Sequence, residues 1–294
     1  MNTTMTHSAW SKLTALLEMI KFSHTVFAFP FALMGVVLAS LASGSAPTFA
    51  QVLWICLAMV GARTGAMGLN RIIDARIDAD NPRTAERHLP AGKVALGEAW
   101  LLVLGAFALL LLAAWMLNPL CLKLAPVAIF FLVLYSYCKR FTAMAHVVLG
   151  LCLASAPVGA WIALRGDIGW PVLVLGLAVL FWVAGFDIFY ALQDYEFDRN
   201  KGLFSIPSRF GVERSFQITR LFHMVMVALL VMLCFSKGLG FIYLLGVAVV
   251  AGLLIYEHRL VHPDDLSRLD AAFFNMNGYI SVTIFLFTLA DALI

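Results

Sequence analysis

Asn70-Arg71-Ile72-Ile73-Asp74-Ala75-Arg76-Ile77-Asp78 closes an apolar run that begins near residue 49. Asn70, Asp74 and Asp78 recur at i, i+4 and i+8, a spacing that stacks them along one helical face. A helix that is apolar for about 20 residues and then turns polar reads as a membrane span continued past the bilayer. Two carboxylates and an amide in one row repel one another unless positive charge sits among them. A hard divalent cation suits that row, because Mg²⁺ takes carboxylate, amide and water oxygens. For this stretch taken alone, a solvated helix end is an equal reading.

Composition widens the first inference. The chain has 294 residues, 62% hydrophobic and 13% charged, whereas soluble domains carry about 25% charged residues. A water-soluble domain is therefore excluded, the lipid bilayer is the expected surroundings, and no nucleic-acid partner is expected. The predicted fold class is an all-α integral membrane protein with nine transmembrane helices in a pseudo-repeated bundle around a central cavity. The spans are placed at roughly 22–42, 49–70, 96–117, 119–137, 144–164, 170–190, 215–235, 238–256 and 272–292. They form one domain, 1–294, with halves of about 1–143 and 144–294 as the repeats. Cys56, Cys121, Cys138, Cys152 and Cys234 lie in or beside apolar runs without metal-ligand spacing, so they read as packing residues. The N-terminus carries no short apolar region with a cleavage site, and no removed signal peptide is expected.

Charge sets the orientation. With nine spans, the N-terminus and the loops after spans two, four, six and eight share a side. Only Lys123, Arg165 and Lys237 fall opposite and Arg63 lies inside span two; the other sixteen of the 20 Lys and Arg are on the motif side. Excess Lys and Arg marks cytoplasmic loops. The chain is thus expected to be multi-pass in the cell (inner) membrane, with its N-terminus and motif loops cytoplasmic.

A second acidic series ends span six. Asp187, Tyr190, Asp194 and Asp198 are spaced 3, 4 and 4, which holds them on one helical face. Asp187 is followed by Ile188 and Phe189, and an ionisable group at that depth needs a polar interior and a partner. As a structural carboxylate it would pair with Arg63 or Lys21. Asp74 and Asp194 are 120 residues apart, and a basic loop with Pro and Gly follows each motif: one holds Arg83 and Arg87, the other Lys201 and Arg209. Two facing acidic helix ends could hold Mg²⁺ on a diphosphate that the basic loops also touch. Arg63 precedes Asn70 by two turns, Lys21 starts span one, and Tyr135, Lys139 and Arg140 end span four. Arg140 reads as a membrane anchor, and Lys139 as a phosphate partner.

These residues resemble the UbiA superfamily of intramembrane aromatic prenyltransferases. Asn70, Asp74 and Asp78 match its first motif, and Asp187, Tyr190, Asp194 and Asp198 match its second. Tyr135 and Lys139 match its Tyr-x-x-x-Lys element, and Arg63 matches an arginine two turns before the first motif. Lys21 stands where many members carry Arg. Glu86-Arg87-His88-Leu89-Pro90-Ala91-Gly92 stands where Asn-Arg-Pro-Leu-Pro-x-Gly is common. The resemblance covers essentially the whole chain and is nearest to 4-hydroxybenzoate polyprenyltransferases and their menaquinone-pathway relatives. The latter often begin with a stretch like that at 21–32, where His24 could touch an acceptor.

The resemblance implies transfer of an isoprenoid from polyprenyl diphosphate to an aromatic acceptor. It implies Mg²⁺ held by Asn70, Asp74, Asp78, Asp194 and Asp198. Substrate would be bound by Lys21, Arg63, Asn70, Arg83, Arg87, Tyr135, Lys139 and Lys201, with Asp187 and Tyr190 near the reacting ring. A cation-coupled transporter is the non-enzymatic alternative, although its acids usually sit near mid-membrane on broken helices. A membrane transferase of another diphosphate-linked substrate is the enzymatic one, and the second acidic motif argues against it. Acceptor, tail length and oligomeric state stay open.

Overall fold

The computed structural model describes residues 9–20, 28–236, 238–263, 266, 269 and 275–294. The described residues form an all-helical bundle. In chain order its helices are α1 (Ala9–Met19), α2 (Phe29–Ser43), α3 (Phe49–Asp80), α4 (Leu96–Leu117), α5 (Pro119–Cys138) and α6 (Ala145–Arg165). Then come α7 (Trp170–Ala191), a 3₁₀ turn (Leu192–Asp194), α8 (Tyr195–Lys201), α9 (Ile206–Phe210), α10 (Val212–Met232), α11 (Phe241–Leu260) and α12 (Asn277–Ala292).

Among the described residues, seven helices are long and apolar enough to cross a membrane, against nine expected. The regions of the first and ninth expected spans appear as α2 and α12, of 15 and 16 residues. At 1.5 Å per residue each rises only about 22–24 Å, less than a bilayer core of about 30 Å. Residues 22–27 and 272–274 of those two expected spans lie outside the described set.

α3 sets the height of the site. Thr48 accepts from Gln51 N at 3.2 Å, and Gln51 Oε1 accepts from Thr48 N at 2.9 Å. This reciprocal cap fixes the start of the helix. Thirty-two residues then run unbroken to Asp80, about 48 Å in all, so the last turns project beyond the apolar core. Gly61, Gly65 and Gly68 form a stripe against α4. A Cβ at Gly61 would stand 2.7 Å from Ala106 O, and one at Gly68 2.7 Å from Val103 Cγ2. Small residues let membrane helices approach this closely.

α7 is the central helix: 72% of its most apolar stretch is buried, against 17–44% in the other six. Trp182 packs on Phe31 of α2 and on Phe186, with ring centroids 4.9 and 5.0 Å apart. Met226 and Leu230 of α10, Tyr243 of α11 and Ile280 of α12 complete that core. Lipid-facing apolar side chains such as Leu101, Leu104, Trp115 and Phe130 lie on the outer faces of α4 and α5. All five cysteines are free thiols, as their positions in apolar runs led us to expect.

One expectation fails at α7. The second motif was read as one continuous helical face, but the helix stops at Ala191 and tightens into the 3₁₀ turn before α8 resumes. The N–H of Leu192 reaches back to the carbonyls of Phe189 and Tyr190. The break falls where Asp194 is gripped by groups from the loop after α3, so tertiary bonds override the local helical preference.

Candidate active site

Both acidic motifs reach the same end of the bundle, and the basic groups there tie them together. On α3, Asn70 Nδ2 donates to Asp74 Oδ2 at 2.9 Å. Asp74 is buried and faces two cations: Lys139 Nζ at 2.7 Å on Oδ2 and Arg140 at 3.0 Å on Oδ1. One turn on, Asp78 takes both oxygens to a single nitrogen of Arg87, at 2.7 and 2.8 Å. Arg71 stands 3.9 Å from the same carboxylate and donates Nε–H to Met19 O at 3.3 Å.

The second motif is held by residues just past the end of α3. Arg83 forks onto Asp194, with Nε on Oδ1 at 2.9 Å and the second bond, from its terminal NH2 nitrogen, on Oδ2. Its other terminal nitrogen donates to Tyr190 Oη at 3.1 Å. Asn81, the residue that caps the C-terminus of α3, donates to Asp194 Oδ1 at 2.8 Å. Burial would pull the Arg83 guanidinium down, but its bonds to Asp194 and Tyr190 leave it above the ordinary arginine value. Lys201 pairs with Asp80 at 2.7 Å, an exposed contact. Asp198 sits by Ser205, within the fields of Asp194, Lys139 and His146. The loop that carries Ser205 is pinned in turn, because Phe204 N donates to Lys139 O at 2.8 Å.

The remaining expected residues fall around this network. Arg63 is half-buried on α3, two turns before Asn70. Tyr135 is half-buried on α5, close to Asp74, Asp187 and Arg71. His88, one of the departures from the common phrase, stands 3.4 Å from Glu18. Lys21 and His24 lie outside the described residues.

Two readings change. Asp187 is not paired with Arg63, and Lys21 lies outside the described residues; among these, the partner of Asp187 is His146, with Nδ1 at 2.7 Å from Oδ2. Arg140 is more than an anchor, since it faces Asp74 and donates to the carbonyls of Ser136 and Ile73 at 2.9 and 2.8 Å. Arg140 and Asn81 adjoin motif residues, and that adjacency was a usable signal. His146 gave none, being a lone histidine opening an apolar helix.

Among the described residues, no three His, Cys, Asp or Glu side chains are grouped closely enough to hold a metal ion. Lys139 and Arg140 stand on Asp74, Arg87 on Asp78 and Arg83 on Asp194. The donor set nevertheless suits a hard divalent ion, being made only of carboxylate and amide oxygens. Chemically, the arrangement is a charge-paired cluster in which three acids, Asp74, Asp78 and Asp194, face at least four cations.

Comparison with known proteins agrees with this architecture. Residues 28–279 match the model of the UbiA prenyltransferase family. The chain is 32% identical over 254 residues to a 4-hydroxybenzoate octaprenyltransferase of Nitrosospira multiformis, covering 86% of this chain and 87% of that one. Its fold is similar to the apo structure of a UbiA homolog from Aeropyrum pernix K1, with a TM-score of 0.82 and 33% identity over 92% of this chain and 98% of that one. It is also similar, with a TM-score of 0.72 and 20% identity over 95% of this chain and all of the other, to a UbiA homolog from Archaeoglobus fulgidus bound to GPP and Mg2+. This chain is therefore an enzyme, and it belongs to the UbiA prenyltransferase family.

Proposed function

We propose that the enzyme transfers a polyprenyl group from polyprenyl diphosphate to an aromatic acceptor of respiratory quinone biosynthesis. The observation that carries this is the cross-bundle grip of Arg83 on Asp194 beside that of Lys139 on Asp74. It brings two acidic helix ends and phosphate-suited cations into one wall. 4-Hydroxybenzoate is the acceptor favoured by the relative's name, and 1,4-dihydroxy-6-naphthoate is the alternative favoured by the resemblance of residues 21–32. At 32% identity the chain is distant enough from that relative for the two to be tested side by side.

Asn70, Asp74, Asp78, Asp194 and Asp198 would hold Mg²⁺, which when bound supplies Lewis-acid stabilisation of the departing diphosphate. The likeness to a homolog bound to GPP and Mg2+ supports that choice of ion. Lys139, Arg83 and Arg87, held in place beside those carboxylates, would face the diphosphate oxygens, with Arg63, Lys21 and Lys201 adding to the positive wall. Charge already fixed where negative charge develops lowers the barrier without reorganisation. Tyr135 and Tyr190 position substrate. Asp187, held by His146 rather than by lysine or arginine among the described residues, takes the proton from the alkylated ring. The prenyl tail leaves the site between apolar helices, towards lipid. All nine expected spans cross the membrane in this reading, with the site on the cytoplasmic face, in accord with the distribution of Lys and Arg.

The test uses purified protein with Mg²⁺, a polyprenyl diphosphate and each acceptor in turn. Diphosphate release is expected only when an acceptor is present, and Asp74→Ala or Asp194→Ala abolishes it in folded protein. Full turnover in both variants, or turnover without a divalent ion, would refute the two-motif mechanism.

A further inference from the structure

His146 lies outside both motifs, yet it touches one of them from within the bundle. It opens α6, is buried, and uses both ring nitrogens. Nδ1 stands 2.7 Å from Asp187 Oδ2, and Nε2 stands 3.3 Å from the backbone nitrogen of Ile206. A backbone N–H can only donate, so Nε2 accepts and the ring proton sits on Nδ1, from where it is donated to Asp187. The amide thus assigns the tautomer.

That amide is itself firmly placed. Ile206 begins α9, whose cap residue Ser205 bonds reciprocally with Ser208: Ser208 N on Ser205 Oγ at 3.2 Å, Ser205 N on Ser208 Oγ at 2.9 Å. One residue earlier, Phe204 N donates to Lys139 O. A chain of hydrogen bonds therefore runs from the loop at 203–208 through His146 to Asp187.

Asp187 also differs from the other motif acids. Asp74, Asp78 and Asp194 each grip a lysine or arginine. Asp187 is held by an imidazole on one oxygen, and its Oδ1 takes no hydrogen bond from the described residues. Among the described residues, an acid so held grips no lysine or arginine and presents one oxygen to a neutral group.

We propose that His146 is a positioning residue for the transfer step: its Nδ1–H fixes the Asp187 carboxylate so that Oδ1 meets the ring carbon's proton. This rests on the placement of Asp187 beside the acceptor given above. In the step, the prenyl C–O bond breaks and its electron pair leaves with diphosphate. A ring carbon bonds to the prenyl carbon, and the proton from that ring carbon passes to Asp187 Oδ1 and on to solvent. His146 carries no proton in this sequence, because Nε2 is already occupied by the Ile206 N–H.

Two substitutions divide its two bonds. His146→Asn keeps an N–H near the Nδ1 position, and His146→Gln keeps an acceptor near Nε2. With Mg²⁺, polyprenyl diphosphate and acceptor, His146→Asn is expected to hold kcat within about fivefold of the unaltered enzyme. His146→Gln loses about 10–100-fold in kcat, with KM for the prenyl diphosphate changed less than about threefold, as for other residues that orient a reacting group. In an Asp187→Asn background, His146→Gln adds less than about twofold further loss, because the two act as a unit. Equal kcat in the two variants, the reverse order, or full additivity would overturn the proposal. Asp187→Asn alone keeps the two readings distinguishable. Unaltered kcat there removes Asp187 from the reaction. Lost kcat there with an active His146→Gln removes only the role of His146.

Discussion

Replacing Arg83 by alanine tests whether the wall between the two motifs is built before substrate arrives. Arg83 gives two bonds to Asp194 and one to Tyr190. Hydrogen bonds to charged groups contribute about 1.5–3 kcal/mol each when well shielded. Here the arginine side chain is 31% exposed, so water replaces part of what is lost, and we take about 2 kcal/mol for the whole contact. That ordering must then be supplied on binding, which raises KM for the prenyl diphosphate about 30-fold at about 1.4 kcal/mol per decade. The rate constant kcat should fall by a smaller factor than KM rises, since Lys139, Arg87 and the metal-binding acids remain. Arg83→Lys keeps the charge but loses the fork and the tyrosine bond, so its KM rises about fivefold. The assay is steady-state diphosphate release with saturating Mg²⁺ and acceptor, alongside thermal unfolding of each variant. An unchanged KM in Arg83→Ala would refute the argument, as would equal damage from alanine and lysine, since the fork would then carry none of it.

Other outcomes follow from the same geometry. Lys201→Ala removes an ion pair whose partners are about half exposed. Such pairs contribute about 0–1 kcal/mol, so thermal unfolding should barely shift, and any rise in KM reports a direct diphosphate contact. Trp182→Ala empties a fully buried site at the centre of the bundle and should destabilise by about 3–5 kcal/mol, seen as a fall in unfolding midpoint. Chelation of divalent ions should abolish turnover, and added Mg²⁺ should restore it. Turnover that survives chelation would contradict metal binding by the two motifs.

Seven of the nine expected spans and the acidic row of α3 were readable because each depends only on spacing along a helix. Asp74 and Asp194 could be expected to meet because both end apolar runs on the side with most Lys and Arg. The 3₁₀ turn at Leu192–Asp194 was not readable: residues 187–198 contain neither Gly nor Pro, and their polar period is continuous. It accompanies bonds to Asp194 from residues 111 and 113 positions earlier, which no local window holds. The same distance in sequence hid His146 as the partner of Asp187, 41 residues away. Arg140 was underread because a basic residue at a span end already has a sufficient explanation in membrane topology.

The glycine stripe of α3 has a consequence for how variants of this enzyme will be classified. At about 100° per residue, Gly61, Gly65 and Gly68 lie within roughly 60° of one another, and Arg63, Asn70 and Asp74 lie on the opposite side of the cylinder. The stripe therefore fixes the roll angle of a rod whose far edge carries the acids. A side chain added at Gly61, about 13 Å along the axis from Asn70, must push α3 off Ala106 and Leu110. Any rotation that relieves the collision swings the whole acidic row with it, as turning a camshaft moves every lobe. Such a variant can still fold and insert yet fail at chemistry, and a screen scored only by activity would count a packing glycine among the catalytic residues.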